Sequence, residues 1–309
     1  MTVSPARKSL RRLAAALLVA GLAAVGCGQK PSPPAAAAGD GPTASVATAP
    51  APAAKPAAAE PAGKPAPPAT RDRLHQSFAD ATRAADNPPA DANRPPDETV
   101  TKKPVFKILE AVVARWDTIR FVSPAGKKIS YDADVETSEG RMRIALFGEI
   151  APNHVRSFIA LARAGYYDEL FFDRVRHERG EGAELQAVEA GCPLGTGEPG
   201  NGSIGYWLKD EFNPAEKVSH EEGSVGACHG VDADTAACRF YITLNKASFL
   251  DGNFTVFGKV VEGLDVARKI YLQPVIVDDQ DRDGARRPEK PVVIHKVTIH
   301  EHEAGTTSP

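Results

Sequence analysis

From Val105 onward, apolar and polar residues recur at spacings that regular structure can use. Val105, Ile108, Leu109, Val112 and Val113 fall at helical spacing and predict an amphipathic helix leading into a domain. Met142, Ile144 and Leu146 alternate with their neighbours, and Ser138-Glu139-Gly140 turns that run back from another around Tyr131 to Val135, which predicts a β-hairpin. Val155, Phe158, Ile159 and Ala162 return to i, i+3, i+4, i+7 spacing, opened by Pro152-Asn153 and stopped by Gly165, so a helix is predicted over about 154–164. Short β-rich runs follow, Leu170 to Val175, Arg239 to Leu244, Phe254 to Val261 and Val292 to His300, with one more helix at about 264–271. Many short strands and few helices favour an antiparallel barrel over a βαβ sheet, and no internal repeat is present.

Ahead of Val105 the pattern is lost. Of the 20 aromatic residues only Phe78 precedes Phe106, and residues 31–70 hold 16 Ala and 11 Pro with no aromatic, so that stretch cannot bury enough surface to offset its ordering entropy. It reads as a disordered, extended tether. Residues 71–96 are polar and end in Pro88, Pro89, Pro95 and Pro96; they read as more linker with one short helix around 74–85. The expected organisation is a signal segment at 1–26, tether at 27–100, a leading helix and strand at 101–129, a folded domain at 130–303 and a tail at 304–309. A formal charge of −3 gives no basic face for nucleic acid, and the longest apolar run, Leu13 to Gly26, is too short for the roughly 18 residues of a membrane-spanning helix. That run follows Arg7, Lys8, Arg11 and Arg12 and ends in small residues, the layout of an export signal. Ala24-Val25-Gly26-Cys27 resembles the lipobox of bacterial lipoproteins, with Ala24 where Leu is usual. The resemblance implies cleavage before Cys27, lipid on that residue, and a chain anchored to a membrane of the cell envelope.

Several segments, in order, carry a second resemblance. Ala151-Pro152-Asn153-His154-Val155-Arg156-Ser157-Phe158, Gly165-Tyr166-Tyr167-Asp168, Phe171-Phe172-Asp173-Arg174-Val175, Gly223 to His229, Arg239-Phe240-Tyr241-Ile242 and, most specific, Leu250-Asp251-Gly252 through Gly263 resemble cyclophilins over about 130–300. The resemblance implies a mainly β fold, an eight-stranded antiparallel barrel capped by two helices. It also implies peptidyl-prolyl cis–trans isomerase activity on unfolded or extended proline-containing polypeptides, without cofactor or metal and as a monomer. Arg174 matches the family's catalytic arginine, while Asp173 stands where the family has His. Tyr241 matches a Phe of the proline pocket, Leu250 matches its leucine, Phe249 stands at a frequent Trp and Phe254 at a His; Phe172 and His229 complete the expected substrate-contacting set. The alternative is a non-catalytic, membrane-tethered peptide- or protein-binding module on the same fold, and a third reading is an envelope spacer.

Departures from the family cluster in the groove. A polar insertion runs from His177 to Gly182, Glu189 and Arg239 stand where two glutamines are usual, and Gln186 and Ala187 occupy the places of a Phe and a Met, which implies a reduced pocket floor and weakened activity. Glu189 and Arg239 are expected to pair with one another or to bind a charged peptide, and a carboxylate near Arg174 is expected to hold its guanidinium away from the proline. Among the remaining thiols, the resemblance puts Cys228 and Cys238 at the ends of neighbouring strands, where a disulfide is reasonable in an exported protein. A zinc site using Cys192, Cys228, His229 and Cys238, or three free thiols, stay open, the spacing matching no standard zinc motif. Asp279-Gln280-Asp281-Arg282-Asp283-Gly284 begins like a calcium loop but has Lys290 at position twelve, so a solvated acidic turn is the simpler reading. His300 and His302 read as surface residues.

Overall fold

The computed structural model describes residues 73–83, 87–90, 92–180, 183–198, 200–212, 218–230, 232–276 and 285–304. Cys27 with its signal segment and the acidic turn at 279–284 lie outside the described residues. The described chain begins with a one-turn helix α1 (Phe78–Ala81) and strand β1 (Thr82–Arg83), then reaches α2 (Val105–Trp116). The expected hairpin is β2 (Ile129–Thr137) and β3 (Gly140–Leu146), paired from Tyr131 opposite Leu146 to Thr137 opposite Gly140. Helix α3 (Pro152–Arg163) starts on a proline, whose missing N–H costs nothing in a first turn, and stops before Gly165, which has φ 69°. There follow β4 (Phe171–Gly180), β5 (Ala183–Ala190), β6 (Trp207–Leu208), β7 (Ser224–Ala227), β8 (Phe240–Thr243), β9 (Val256–Glu262) and α4 (Leu264–Tyr271). The last strands are β10 (Val275–Ile276), β11 (Ala285–Pro288) and β12 (Val292–Glu303).

Eight of these strands form a closed ring in the order β4-β12-β2-β3-β9-β7-β8-β5, with β5 hydrogen-bonded back to β4. All pairings are antiparallel, and β11 and β10 branch from β4 outside the ring. Closure leaves the ring itself without a free edge, and one face of its strands fills the interior with buried Val135, Ile144, Phe172, Val188, Phe240 and Ile242. The expected barrel and its two later helices are therefore present.

Helix α3 is buried from Pro152 through Ala162, because the barrel covers one side and α2 the other. Its ends are met by charges from distant segments. Glu211 accepts the N–H groups of Asn153 and His154, each at 2.9 Å, where the helix dipole favours an anion. Lys103 donates to the carbonyls of Gly165 (2.6 Å), Tyr166 (3.2 Å) and Asp168 just past the other end.

The structure corrects the extent of the tether. Residues 73–83 are part of the fold: Phe78 packs edge-on against Trp116 (5.3 Å between ring centroids) and Tyr206 (5.2 Å), and the Trp116 indole donates to the Gln76 carbonyl at 3.1 Å. Thr82 and Arg83 pair with Leu208 and Trp207. The expected helix over 74–85 shrinks to one turn, capped by the Ser77 hydroxyl on the Asp80 N–H and ended by the Thr82 hydroxyl on the Phe78 carbonyl, because the chain then leaves to pair as a strand. Ile119 and Phe121 join the same core as the barrel, so the leading helix is not a separate unit. Among the described residues no helix is long and apolar enough to cross a membrane.

Arg156 ties this leading segment to α3. Its guanidinium is buried and donates to the carbonyls of Arg73 (3.2 Å), Leu74 and Ile119 (3.2 Å) and to the Asn153 side chain (2.9 Å). Arg156→Gln leaves several buried carbonyls without donors, each costing about 1–3 kcal/mol. The expected loss of stability in denaturant unfolding is about 2–4 kcal/mol, with earlier proteolytic cleavage ahead of α2 than in the wild type.

Candidate active-site groove

The site lies on the outer face of β4, β5, β7 and β8, and one irregularity creates it. Strict alternation along β4 from the inward Phe172 would send Arg174 into the core. Instead the register shifts between Phe172, opposite Ala190, and Arg174, opposite Glu189, so two steps on β4 match one on β5. This β-bulge at Asp173 re-aims Arg174 outward, while Val175 returns to the interior. From there parity assigns the face: Arg176 opposes Ala187, Tyr241 opposes Glu189, and Gly226 opposes Tyr241.

These side chains wall a cavity of about 360 Å³. Arg174, Arg176, Glu189 and Arg239 form its polar side; Leu185, Ala187, Tyr241, Leu250 and Phe254 form its apolar side, with Cys228 and His229 at the junction. Arg174 is 7% exposed. Gly197, at φ 66°, lies across its aliphatic stem, and a Cβ at that position would collide with Arg174 Cγ. Gly226 plays the same part for Tyr241, whose ring occupies the space any side chain there would need.

The hydroxyl of Tyr241 is turned out of the apolar pocket. It sits 2.8 Å from Nε2 of the fully buried His220, whose Nδ1 lies 2.8 Å from Asp251 Oδ1. Burial lowers the His220 pKa, against the opposing pull of Asp251, so the imidazole is neutral, donates from Nδ1 to Asp251 and accepts the tyrosine O–H at Nε2. The tyrosine hydroxyl is thereby satisfied outside the apolar pocket. His229 stacks on Phe254 with ring centroids 4.0 Å apart, and Phe254 meets Tyr241 edge-on at 6.2 Å.

Glu189 and Arg239 pair, as expected from sequence, with Nη2 2.6 Å from Oε2. Glu189 also accepts from Arg176 at 3.1 Å, and Arg239 reaches Asp173 Oδ1 at 3.2 Å. Arg176 and Arg239 thus hold both Glu189 oxygens. Asp173 accepts the Cys192 N–H at 3.0 Å as well. Its burial raises the carboxyl pKa to about 6, with Arg239 opposing and Glu189 reinforcing the rise. Burial by itself would weaken the charge on Arg239, but Asp173 and Glu189 outweigh it and hold the guanidinium protonated.

Four expectations change. Phe172 is a core residue, fully buried inside the ring, and does not line the groove. Phe249 is 45% exposed on the turn before Leu250 and does not line the cavity either. The pocket floor is not reduced to Ala187: alternation along β5 puts Leu185 on the groove face, where it packs with Tyr241, Ala247 and Leu250, while the Gln186 side chain donates to Glu184 at 3.1 Å. Counting back by twos from Glu189 would have found it. Cys228 and Cys238 are free thiols. Cys228 bonds through its backbone to Arg239 and shares the groove face, whereas Cys238 is one position out of phase and points inward, where it accepts the Tyr166 hydroxyl at 3.2 Å and donates to the Gly202 carbonyl at 2.9 Å. Burial pushes the Cys238 thiol up to about 12 and raises that of Cys228 as well, so neither is an activated thiolate. Among the described residues no cluster of three His, Cys, Asp or Glu side chains is arranged to hold a metal. His300 and His302 pair with Asp134 and Asp132 on the barrel surface.

Residues 133–299 match the family model of the cyclophilin type peptidyl-prolyl cis-trans isomerases. Similar curated proteins include the peptidyl-prolyl cis-trans isomerase-like 2 of Rhizopus delemar, 32% identical over 65% of this chain, which spans about a third (35%) of that relative's length. The peptidyl-prolyl cis-trans isomerase-like 1 of Neurospora crassa is 32% identical over 49% of this chain and 86% of its own. A crystal structure of a cyclophilin type peptidyl-prolyl cis-trans isomerase from Cryptosporidium parvum aligns over 55% of this chain and 98% of its own, with 23% identity and a TM-score of 0.45. The chain belongs to the cyclophilin-type peptidyl-prolyl cis-trans isomerase family.

The buried carboxylate gives a measurable signature. Because its folded pKa lies above the ordinary 3.8, Asp173 holds a proton between about pH 4 and 6 that the unfolded chain has released. Its contribution to stability is therefore fully present below pH 3.8 and falls as pH rises through 6. A carboxyl-carbon NMR titration is expected to show this group titrating near 6, and Arg239→Gln, which removes the opposing cation, is expected to move the midpoint higher.

Proposed function

We propose that this chain is an isomerase of X-Pro bonds in unfolded or extended polypeptides, working in the cell envelope and anchored there by lipid on Cys27. The observation that carries the catalytic part is a guanidinium, Arg174, on the wall of an apolar pocket built by Leu185, Tyr241, Leu250 and Phe254. Rotation about an amide is opposed by resonance, a barrier of about 18–20 kcal/mol. That barrier falls when the prolyl nitrogen becomes pyramidal and its lone pair leaves conjugation. An apolar pocket grips the ring, and a fixed cationic donor beside it stabilises the twisted state more than either planar state, which is what accelerates the step. Neither a covalent intermediate nor a proton transfer is required.

Arg174 suits this role because its fork is permanently charged and planar, whereas lysine presents a compact point charge. Arg174→Lys is expected to lower turnover of a proline-containing test peptide by about tenfold or more while peptide affinity and circular dichroism stay near wild type. Equal, slow rates for wild type and variant with peptide still bound would remove the catalytic reading and leave the binding module in its place.

Membrane attachment rests on the basic, apolar and small-residue succession before Cys27. Cells making the Cys27→Ser variant are expected to lose the protein from the membrane fraction, and mass spectrometry of the wild-type mature N-terminus should find an acylated Cys27. A soluble mature chain starting elsewhere would refute the anchor.

A further inference from the structure

Pro89 is buried, although Pro88 before it and Ala90 after it are exposed. It shares the groove cavity with Arg174, Tyr241 and Leu250, and Ala92 lies on the same wall. Both flanks of this stretch are fastened to the domain. Upstream, β1 pairs with β6, the Lys209 N–H donates to the Ala81 carbonyl at 3.0 Å, and Arg83 Nε donates to the Asn87 carbonyl at 2.6 Å. Downstream, the Asn93 N–H donates to the Gly200 carbonyl at 3.1 Å and its side chain to Asn201 at 2.8 Å, while the Ala92 N–H closes a turn on the Pro89 carbonyl. Between these anchors a rigid, apolar proline is held over a pocket whose apolar walls suit proline.

We propose that the strap carrying Pro88, Pro89 and Ala92 is an internal occupant of the groove, which an incoming proline-containing peptide must displace. The inference rests on the reading of the groove as a proline-binding site. An occupant fastened at both ends acts at a high effective concentration without contacts of its own being strong, and its proline has little conformational freedom to lose on docking. A groove that is open only a fraction f of the time binds peptide with its affinity reduced by that fraction. The strap thus sets how much client polypeptide is needed to engage the site, and it gives the groove a partner in the chain itself.

The test uses the full chain, with the tetrapeptide Ala-Ala-Pro-Phe as probe. In the Pro88→Gly/Pro89→Gly variant, KM and the dissociation constant of the peptide are expected to fall about three- to tenfold, as for an open fraction of about a third to a tenth, the change residing in KM rather than kcat. Asn93→Ala, which removes the side-chain bond to Asn201, should move both in the same direction by less. Hydrogen exchange supplies the second readout: saturating peptide is expected to speed exchange of the Ala92 and Asn93 amides in the wild type. Unchanged or weaker peptide binding in both variants, or amides that peptide leaves unaffected or protects, would overturn the proposal. Tighter binding by the variants with no turnover in any form would keep the strap and discard the isomerase reading, so the two fail separately.

Discussion

A closed ring of strands gives each side chain two choices, inward or outward, and a single residue of phase decides between them. Most of the barrel obeys that alternation, which is why its interior is uniformly apolar. The bulge at Asp173 is the break in phase on which the groove depends. It releases Arg174 from the core side, leaves Asp173 to receive Cys192 and Arg239, and sets Glu189 opposite Arg174 across the β4–β5 hairpin. A guanidinium placed by backbone register is held more narrowly than one carried on a loop.

The charged cluster behind the groove has the opposite character. Asp173, Glu189 and Arg239 have left water, and burying such groups costs several kcal/mol per ion, which their mutual attraction offsets only where hydrogen bonds also complete the set. Completion is visible here, since each carboxylate has a charged partner and Asp173 adds a backbone donor. Such a cluster adds little net stability but narrows the geometry available to the strands that carry it. That rigidity backs the wall from which Arg174 projects.

Legibility in the sequence followed the strength of local periodicity. The β2–β3 hairpin and helices α2, α3 and α4 were readable because their apolar positions repeat at one clear spacing. Arg174, Tyr241 and Leu250 were readable from motif order and do line the groove. Leu185 was missed because residues were matched to family positions one by one across an insertion, when strand parity was the safer guide. Cys228 and Cys238 misled for the same reason: proximity along two neighbouring strands says nothing about which face each thiol takes. The folded leading segment was hidden by composition, because its few anchors, Leu74, Phe78 and Pro89, are scattered through polar and proline-rich sequence and find their partners on surfaces far along the chain. The His220–Asp251 pair left no local signal, since only the fold brings it beneath Tyr241.

The ring is sealed by its last strand. β12 runs between β2 and β4, so a chain made from its N-terminus has most of the sheet in hand while the long edge of β2 and the start of β4 still lack their partner. Contacts of such long sequence separation form late and slow folding, and until they form the edges are open to other chains. Every residue up to Pro291 can be present and the barrel still be a curved, sticky sheet. The domain's vulnerability to aggregation and proteolysis is thus concentrated in the interval before its final dozen strand residues arrive, and the late closure makes those residues the latch of the whole fold.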